Sequence, residues 1–281
     1  LPISTREHVE GASYLFFEES HSHATEQKLV KDNIEGEGKY KQIIFVEDEV
    51  TTGNTILSAI DAMEKEWPNK RRYAVASILN GMDEGALARF ESRNIPVYYL
   101  AKTDHSGYTK VANSYRGDGI YHEERRENFS IECIEVCHSV EPRRLTTGQD
   151  YQKACEKLWE ATKDRVKFGS TLVLGTEECM YPALYIAKKI EKATEDSVKC
   201  HATTRSPIVV SSEEEYPVHQ RWELTSLYER GRKTFLYDLT KYAQVLIVTD
   251  AESPTEEGVA ALGEALQSVG NEKIMMVRWC K

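Results

Sequence analysis

Ile43-Ile44-Phe45-Val46-Glu47-Asp48-Glu49-Val50-Thr51-Thr52-Gly53-Asn54-Thr55 is the stretch that decides the fold. Four consecutive apolar residues, rich in β-branched and aromatic types, read as a strand buried on both faces of a parallel sheet. Two adjacent acids follow at the strand's carboxyl end. A hydroxyl- and glycine-rich turn comes next and opens a helix in which Ile56, Leu57, Ile60 and Met63 recur at helical spacing, closed by Pro68. Each part of the turn has a physical task. Backbone N–H groups of residues 52–55 at a helix N-terminus form a nest for an anion. Thr51, Thr52 and Thr55 add hydroxyl donors, and Gly53 lets the backbone turn tightly against a ligand.

Working outward, the spacing predicts strands at 73–79, 95–100, 171–175, 198–202, 245–248 and 274–277. Helices are predicted at 83–93, 151–167 (exposed), over Ala183 to Ile190, and at 256–268. Strand and helix alternate as in an α/β protein. Residues 101–150 lose this rhythm and read as a connector, with Ile131 to Val136 as a candidate edge strand. The expected organisation is two domains, 1–145 and 151–281. The halves echo one another. Ser4-Thr5-Arg6 recurs as Thr203-Thr204-Arg205, and Phe45-Val46-Glu47-Asp48 as Ile247-Val248-Thr249-Asp250. Internal duplication is one reading and chance matching of strand-end motifs the other. Under duplication, the first domain lacks in this chain the opening strand, loop and helix that precede Thr203 in the second.

Composition bounds the function. The 281 residues carry a formal net charge of −10, which argues against a protein that grips a phosphate backbone non-specifically. No apolar run approaches the ~18 residues that span a bilayer. Six scattered cysteines do not make a disulfide scaffold. The chain is read as cytoplasmic. Two neighbouring carboxylates suit a sugar diol, and a phosphate nest suits a 5′-phosphate, so residues 47–55 read as a ribose 5-phosphate site. Its place fits the rule that open α/β sheets bind ligands at strand carboxyl ends. A buried strand with a capped helix, or a phospho-acceptor domain without the Thr-Gly turn, are the plainer alternatives.

The motif resembles the PRPP-binding motif of type I phosphoribosyltransferases, with every position of the 43–55 stretch matching. Further matches narrow the resemblance. They are Thr5-Arg6-Glu7, the segment 18–27, Leu174-Gly175-Thr176-Glu177-Glu178, Met180-Tyr181-Pro182 and Thr203-Thr204-Arg205-Ser206-Pro207. Together they resemble the orotate phosphoribosyltransferase-like proteins of bacterial tellurite-resistance gene clusters. Those proteins carry a C-terminal domain named for the Thr-Arg-Ser-Pro motif, here 204–207. The resemblance implies a parallel sheet with helices on both faces, joined to a second, Rossmann-like α/β domain.

It also implies PRPP-dependent transfer of ribose 5-phosphate to or from a base, in nucleotide or nucleoside-like metabolism, with likeness to the family's homodimers. Glu47 and Asp48 would hold the ribose hydroxyls and a Mg²⁺ ion. Thr51, Thr52, Gly53, Asn54 and Thr55 would hold the 5′-phosphate. Arg6, Glu18, Glu19, His21 and His23 are the catalytic candidates. The family's pyrophosphate loop is expected before Thr5 and is absent here, and the mobile-loop segment 18–27 offers no Lys or Arg. His21-x-His23 beside Glu18 and Glu19 reads as a metal triad or, preferentially, as a polar loop near the substrate. Glu177, Glu178 and Arg205 are candidate ligand residues of the second domain, Arg205 for an anion and the acids for hydroxyls. A structural turn closed by Pro207 is the alternative. Thr249-Asp250 has lost the Thr-Gly turn and is not expected to bind PRPP in the same manner. Trp222, Tyr228, Phe235 and Tyr237 are expected to pack. A PRPP-sensing or scaffold protein that catalyses nothing is the rival from another class.

Overall fold

The computed structural model describes residues 9, 11–18, 26–34, 40–68, 71–123, 131–137, 140–141, 144–167 and 169–280. The chain divides into two compact units, 1–114 with 141–146, and 115–140 with 147–281. The segment 115–140, expected in the first domain, therefore belongs with the second. Its strands pair there.

In the first unit an antiparallel hairpin, β1 (Tyr14–Glu18) and β2 (Glu26–Val30), precedes a parallel sheet. That sheet has the order β3 (Gln42–Val50), β4 (Arg72–Asn80), β5 (Val97–Lys102). Helix α1 (Asn54–Glu66) joins β3 to β4, and α2 (Glu84–Ser92) joins β4 to β5. A short α3 (Tyr108–Ala112) follows. Ile56, Ala59, Ile60 and Met63 fall on one stripe of α1, and Ala86 and Phe90 on one stripe of α2. Both stripes pack on the same sheet face, against Phe45, Tyr73 and Val75.

That arrangement corrects the expectation of a strand buried on both faces. Side chains alternate along a strand, so Ile44 and Val46 point away from α1 and α2. Ile44 is 56% exposed and Val46 76%. The register continues this face across the sheet, with Val46 opposite Ala76 and Ala76 opposite Tyr98. Ile78 and Leu100 are also exposed. Among the described residues, one face of the sheet is thus covered and the other carries exposed apolar side chains.

The second unit holds two sheets. The larger is wholly parallel. Its order is β7 (Glu132–Val136), β13 (Ile274–Trp279), β12 (Gln244–Thr249), β8 (Thr171–Gly175), β9 (Val198–Ala202). Here the sheet is covered on both sides. Val173, Leu246 and Val248 pack under α4 (Gly148–Thr162) and α5 (Met180–Thr194). Leu172, Leu174, Val245 and Ile247 pack under α6 (Glu256–Ser268) and the smaller sheet. That smaller sheet runs β11 (Lys233–Tyr237), β10 (Gln220–Thr225), β6 (Ile120–His122). α4 was expected to be exposed. Its Cys155 and Leu158 are fully buried because one stripe faces the sheet, and desolvation pushes the Cys155 thiol up to about 11. Trp222, Tyr228, Phe235 and Tyr237 are buried, as packing residues should be. No helix among the described residues is long and apolar enough to cross a membrane.

Candidate functional site

The 51–55 turn sits where the sequence places it, after β3 and at the start of α1. Gly53 is the N-cap of α1 with φ 72°, the left-handed region that glycine enters without strain. It is packed tightly as well. A Cβ built on it would lie 2.5 Å from the Phe90 ring and 2.9 Å from the Met82 sulfur. A glycine N-cap brings no side-chain acceptor, so no side-chain cap bond closes this end of the helix. The Thr52 hydroxyl reaches the Asn54 N–H at 3.4 Å, and the Leu57 N–H closes the first turn on the Gly53 carbonyl at 3.1 Å. Thr51 is exposed, and Thr52, Asn54 and Thr55 are half-buried. The turn therefore presents N–H donors at the positive end of a thirteen-residue helix.

Beside the turn lies a cavity of about 780 Å³. It is lined by Thr51, Thr52 and Asn54, by Gly81 and Met82 after β4 with the start of α2, and by Lys102 at the end of β5 with Thr103 and His105 after it. These residues come from the carboxyl ends of the parallel strands, where α/β sheets take ligands. Several are held in place. Lys102 Nζ donates to the Met82 carbonyl at 2.7 Å, and His105 Nε2 lies 3.0 Å from Glu49 Oε1 and 2.9 Å from Thr103 Oγ1. The His105 ring covers Gly81, where a Cβ would meet it at 2.1 Å, and stacks on Tyr108 at 4.3 Å. The Ser106 backbone N–H, at 2.9 Å, holds the Asp104 carboxyl below the usual carboxylate range. Asn80, at the end of β4, is fully buried. Its Oδ1 accepts from the Met82 N–H, and its Nδ2 has no hydrogen-bond partner among the described residues.

The two acids are arranged differently from expectation. β3 does not stop before them. It continues to Val50, with Glu47 registered on Ser77 and Val50 on Asn80. Alternation then places Asp48 with the exposed Ile44 and Val46, and Glu47 with Phe45 on the face toward α1. Glu47 is half-buried and Asp48 exposed, with Asp48 Oδ1 accepting from the Glu49 N–H at 2.8 Å. The carboxylates thus approach the strand end from two faces and do not form a flat pair. Of the other catalytic candidates, Arg6, Glu19, His21 and His23 lie outside the described residues, and Glu18 ends β1.

The second unit offers a contrast. Its larger sheet reverses strand order between β8 and β12, since α5 leads from β8 outward one way and α6 from β12 the other. A crevice at such a switch is a common ligand position. Here it is filled from within. The Tyr228 hydroxyl lies 2.8 Å from Thr176 Oγ1 and donates to Asp250 Oδ1 at 2.6 Å, while Thr176 Oγ1 also bonds Thr249 Oγ1 at 2.8 Å. Asp250, the counterpart of Asp48 in the sequence echo, is engaged by a tyrosine. The N-terminus of α6 is capped by its own Thr255, which accepts from the Gly258 N–H. Glu177, with φ 48°, is buried and held by Ser226 at 2.5 Å and by Arg232 at 3.2 Å. Glu178 is exposed and faces Arg205 at 3.6 Å. Of the three candidate ligand residues here, Glu178 and Arg205 reach solvent and Glu177 is engaged internally.

Sequence reasoning missed Arg89, Lys102 and His105, and read Tyr228 for its packing without the polar role of its hydroxyl. A lone cation in an amphipathic helix or a tyrosine in a loop gives no local signal. Only the polar cluster Lys102-Thr103-Asp104-His105 straight after a strand pointed toward a strand-end site.

No curated protein and no solved structure matches the chain. Two families do. One, described as a phosphoribosyl transferase, matches residues 2–102, and the other, described as a TRSP domain at the C-terminus of that transferase, matches residues 144–266. The first match contains the whole of β3, the Gly53 turn and α1, and the second contains the Thr204-Arg205-Ser206-Pro207 turn. The chain is a phosphoribosyl transferase family domain followed by a TRSP domain.

Proposed function

We propose that the first unit binds PRPP and exchanges its pyrophosphate for a base nitrogen at C1 of the sugar, in either direction. This is orotate phosphoribosyltransferase-like chemistry. The observation that carries the reading is the glycine-capped N-terminus of α1, opening beside a 780 Å³ cavity at the end of β3. Its N–H groups and the Thr51 and Thr55 hydroxyls would take the 5′-phosphate. Hydrogen bonds to such a charged group are worth about 1.5–3 kcal/mol each. Asp48, exposed near the end of β3, would hold a ribose hydroxyl.

Asp48, the one of the two acids that is exposed, would hold magnesium. No described cluster of three or more His, Cys, Asp or Glu residues could hold a metal by itself. Mg²⁺ prefers one or two carboxylates plus substrate oxygens, and an exposed Asp48 with a bound sugar phosphate would offer that set. When bound, the ion would supply neutralisation of charge on the leaving pyrophosphate. The chain's own residues position the phosphate and the sugar, so that the cationic sugar formed at C1 meets the incoming nitrogen in line. The Tyr228 plug supports a different part for the TRSP domain, without a PRPP site at its switch point.

The test is turnover. Incubated with PRPP, Mg²⁺ and a panel of free bases, the protein should release pyrophosphate in the presence of at least one of them. Binding of PRPP without release from any base or nucleotide would favour a sensor over an enzyme.

A further inference from the structure

The 51–55 turn is fastened by a residue outside its own motif. Arg89, on α2, reaches 35 residues back along the chain. Its Nη1 donates to Asn54 Oδ1 at 2.8 Å and its Nη2 to the Thr52 carbonyl at 3.0 Å. The side chain is exposed and lines the cavity. An exposed arginine loses rotamer freedom when held at two points. The planar fork of a guanidinium meets two acceptors at once, which a lysine ammonium does not reproduce.

The second of those bonds has a consequence for the ligand. The peptide joining Thr52 to Gly53 is planar and trans, so its carbonyl and its N–H point in opposite directions. Fixing the Thr52 carbonyl therefore fixes the direction of the Gly53 N–H. That direction is not secured by sterics. Glycine populates both signs of φ about equally, so a flip of the peptide preceding Gly53 meets little local resistance. Arg89 supplies the missing restraint. Resting on the reading of the turn as a phosphate site, we propose that Arg89 is a positioning residue. It clamps the Thr52–Gly53 peptide so that the Gly53 N–H stays aimed at the phosphoryl group of the sugar.

The experiment titrates ribose 5-phosphate, and separately ribose, into wild type, Arg89→Met and Arg89→Lys by calorimetry. The Gly53 amide ¹⁵N shift, which reports the orientation of the preceding peptide, is recorded for each. Methionine keeps the apolar stem of the side chain. Losing one well-made hydrogen bond's worth of positioning predicts about a tenfold weaker binding of ribose 5-phosphate in Arg89→Met. Binding of ribose alone should be unchanged, and the Gly53 shift should move. Arg89→Lys should recover little, because its point charge lacks the fork. Wild-type affinity in Arg89→Met, or full recovery in Arg89→Lys, overturns the proposal, the second by showing that charge alone suffices. Should wild type bind no ribose 5-phosphate, the sugar-phosphate reading itself fails. The clamp is then decided by the Gly53 shift alone, and an unmoved shift in Arg89→Met refutes it.

Discussion

Gly53→Ala should both destabilise the first unit and abolish its phosphate binding. Two costs coincide at this position. The residue has φ 72°, where a Cβ meets the following carbonyl at a cost of roughly 1–2 kcal/mol. The added methyl would also lie 2.5 Å from the Phe90 ring and 2.9 Å from the Met82 sulfur. Both neighbours are fully buried, so the ring has little room to retreat, and overpacking of this kind costs roughly 1–3 kcal/mol. The sum is about 2–5 kcal/mol, a large share of the stability of a domain this size. Urea unfolding of wild type and variant measures it. If the variant relaxes by turning residue 53 out of the left-handed region, the N–H groups at the start of α1 move with it. Phosphate affinity is then lost even where the fold survives. A variant as stable as wild type that binds ribose 5-phosphate equally well would mean that the turn does not need its glycine.

Asp48→Asn should leave stability nearly untouched and weaken PRPP binding in Mg²⁺ by roughly tenfold or more, the worth of one charge-assisted hydrogen bond. Asp48 is exposed near the end of β3, and substitutions at such sites usually change stability by within about 0.5 kcal/mol. Its Oδ1 accepts the Glu49 N–H, and the asparagine carbonyl oxygen can accept the same bond, so the local backbone is preserved. What asparagine lacks is the negative charge that attracts a sugar hydroxyl and a divalent cation. The contrast with Gly53→Ala is useful. One variant separates ligand affinity from folding, and the other couples them. Equal calorimetric affinity of wild type and Asp48→Asn would remove Asp48 from the diol and metal assignment.

The parts of the molecule that could be read from sequence are those whose signal is local. The apolar run at 43–46 followed by hydroxyl-rich residues and Gly53 sufficed to place β3, the turn and α1. The apolar spacing in 256–268 placed α6 to the residue. The exposure of Ile44 and Val46 was not legible, because burial of a strand face depends on what packs there, and both α1 and α2 pack on the other face. The charged run Glu47-Asp48-Glu49 hid the continuation of β3 to Val50, and with it the placement of the two acids on opposite faces. β6 has three residues, too few for any periodicity, so its membership of the second unit's small sheet was invisible. The Tyr228 hydroxyl closes a crevice against Asp250, and Arg89 ties down Thr52 from 37 residues away. Such long-range polar contacts leave no pattern along a single chain.

The central claim is that the glycine-capped start of α1 is an anion site for a phosphorylated pentose. Its most direct test is a ¹H–¹⁵N titration of the protein with ribose 5-phosphate, with ribose as the control. The account predicts saturable shifts of the Gly53, Asn54 and Thr55 amides with the phosphate ester and none of comparable size with ribose. Shifts confined to other residues, or the same response to both sugars, would contradict it.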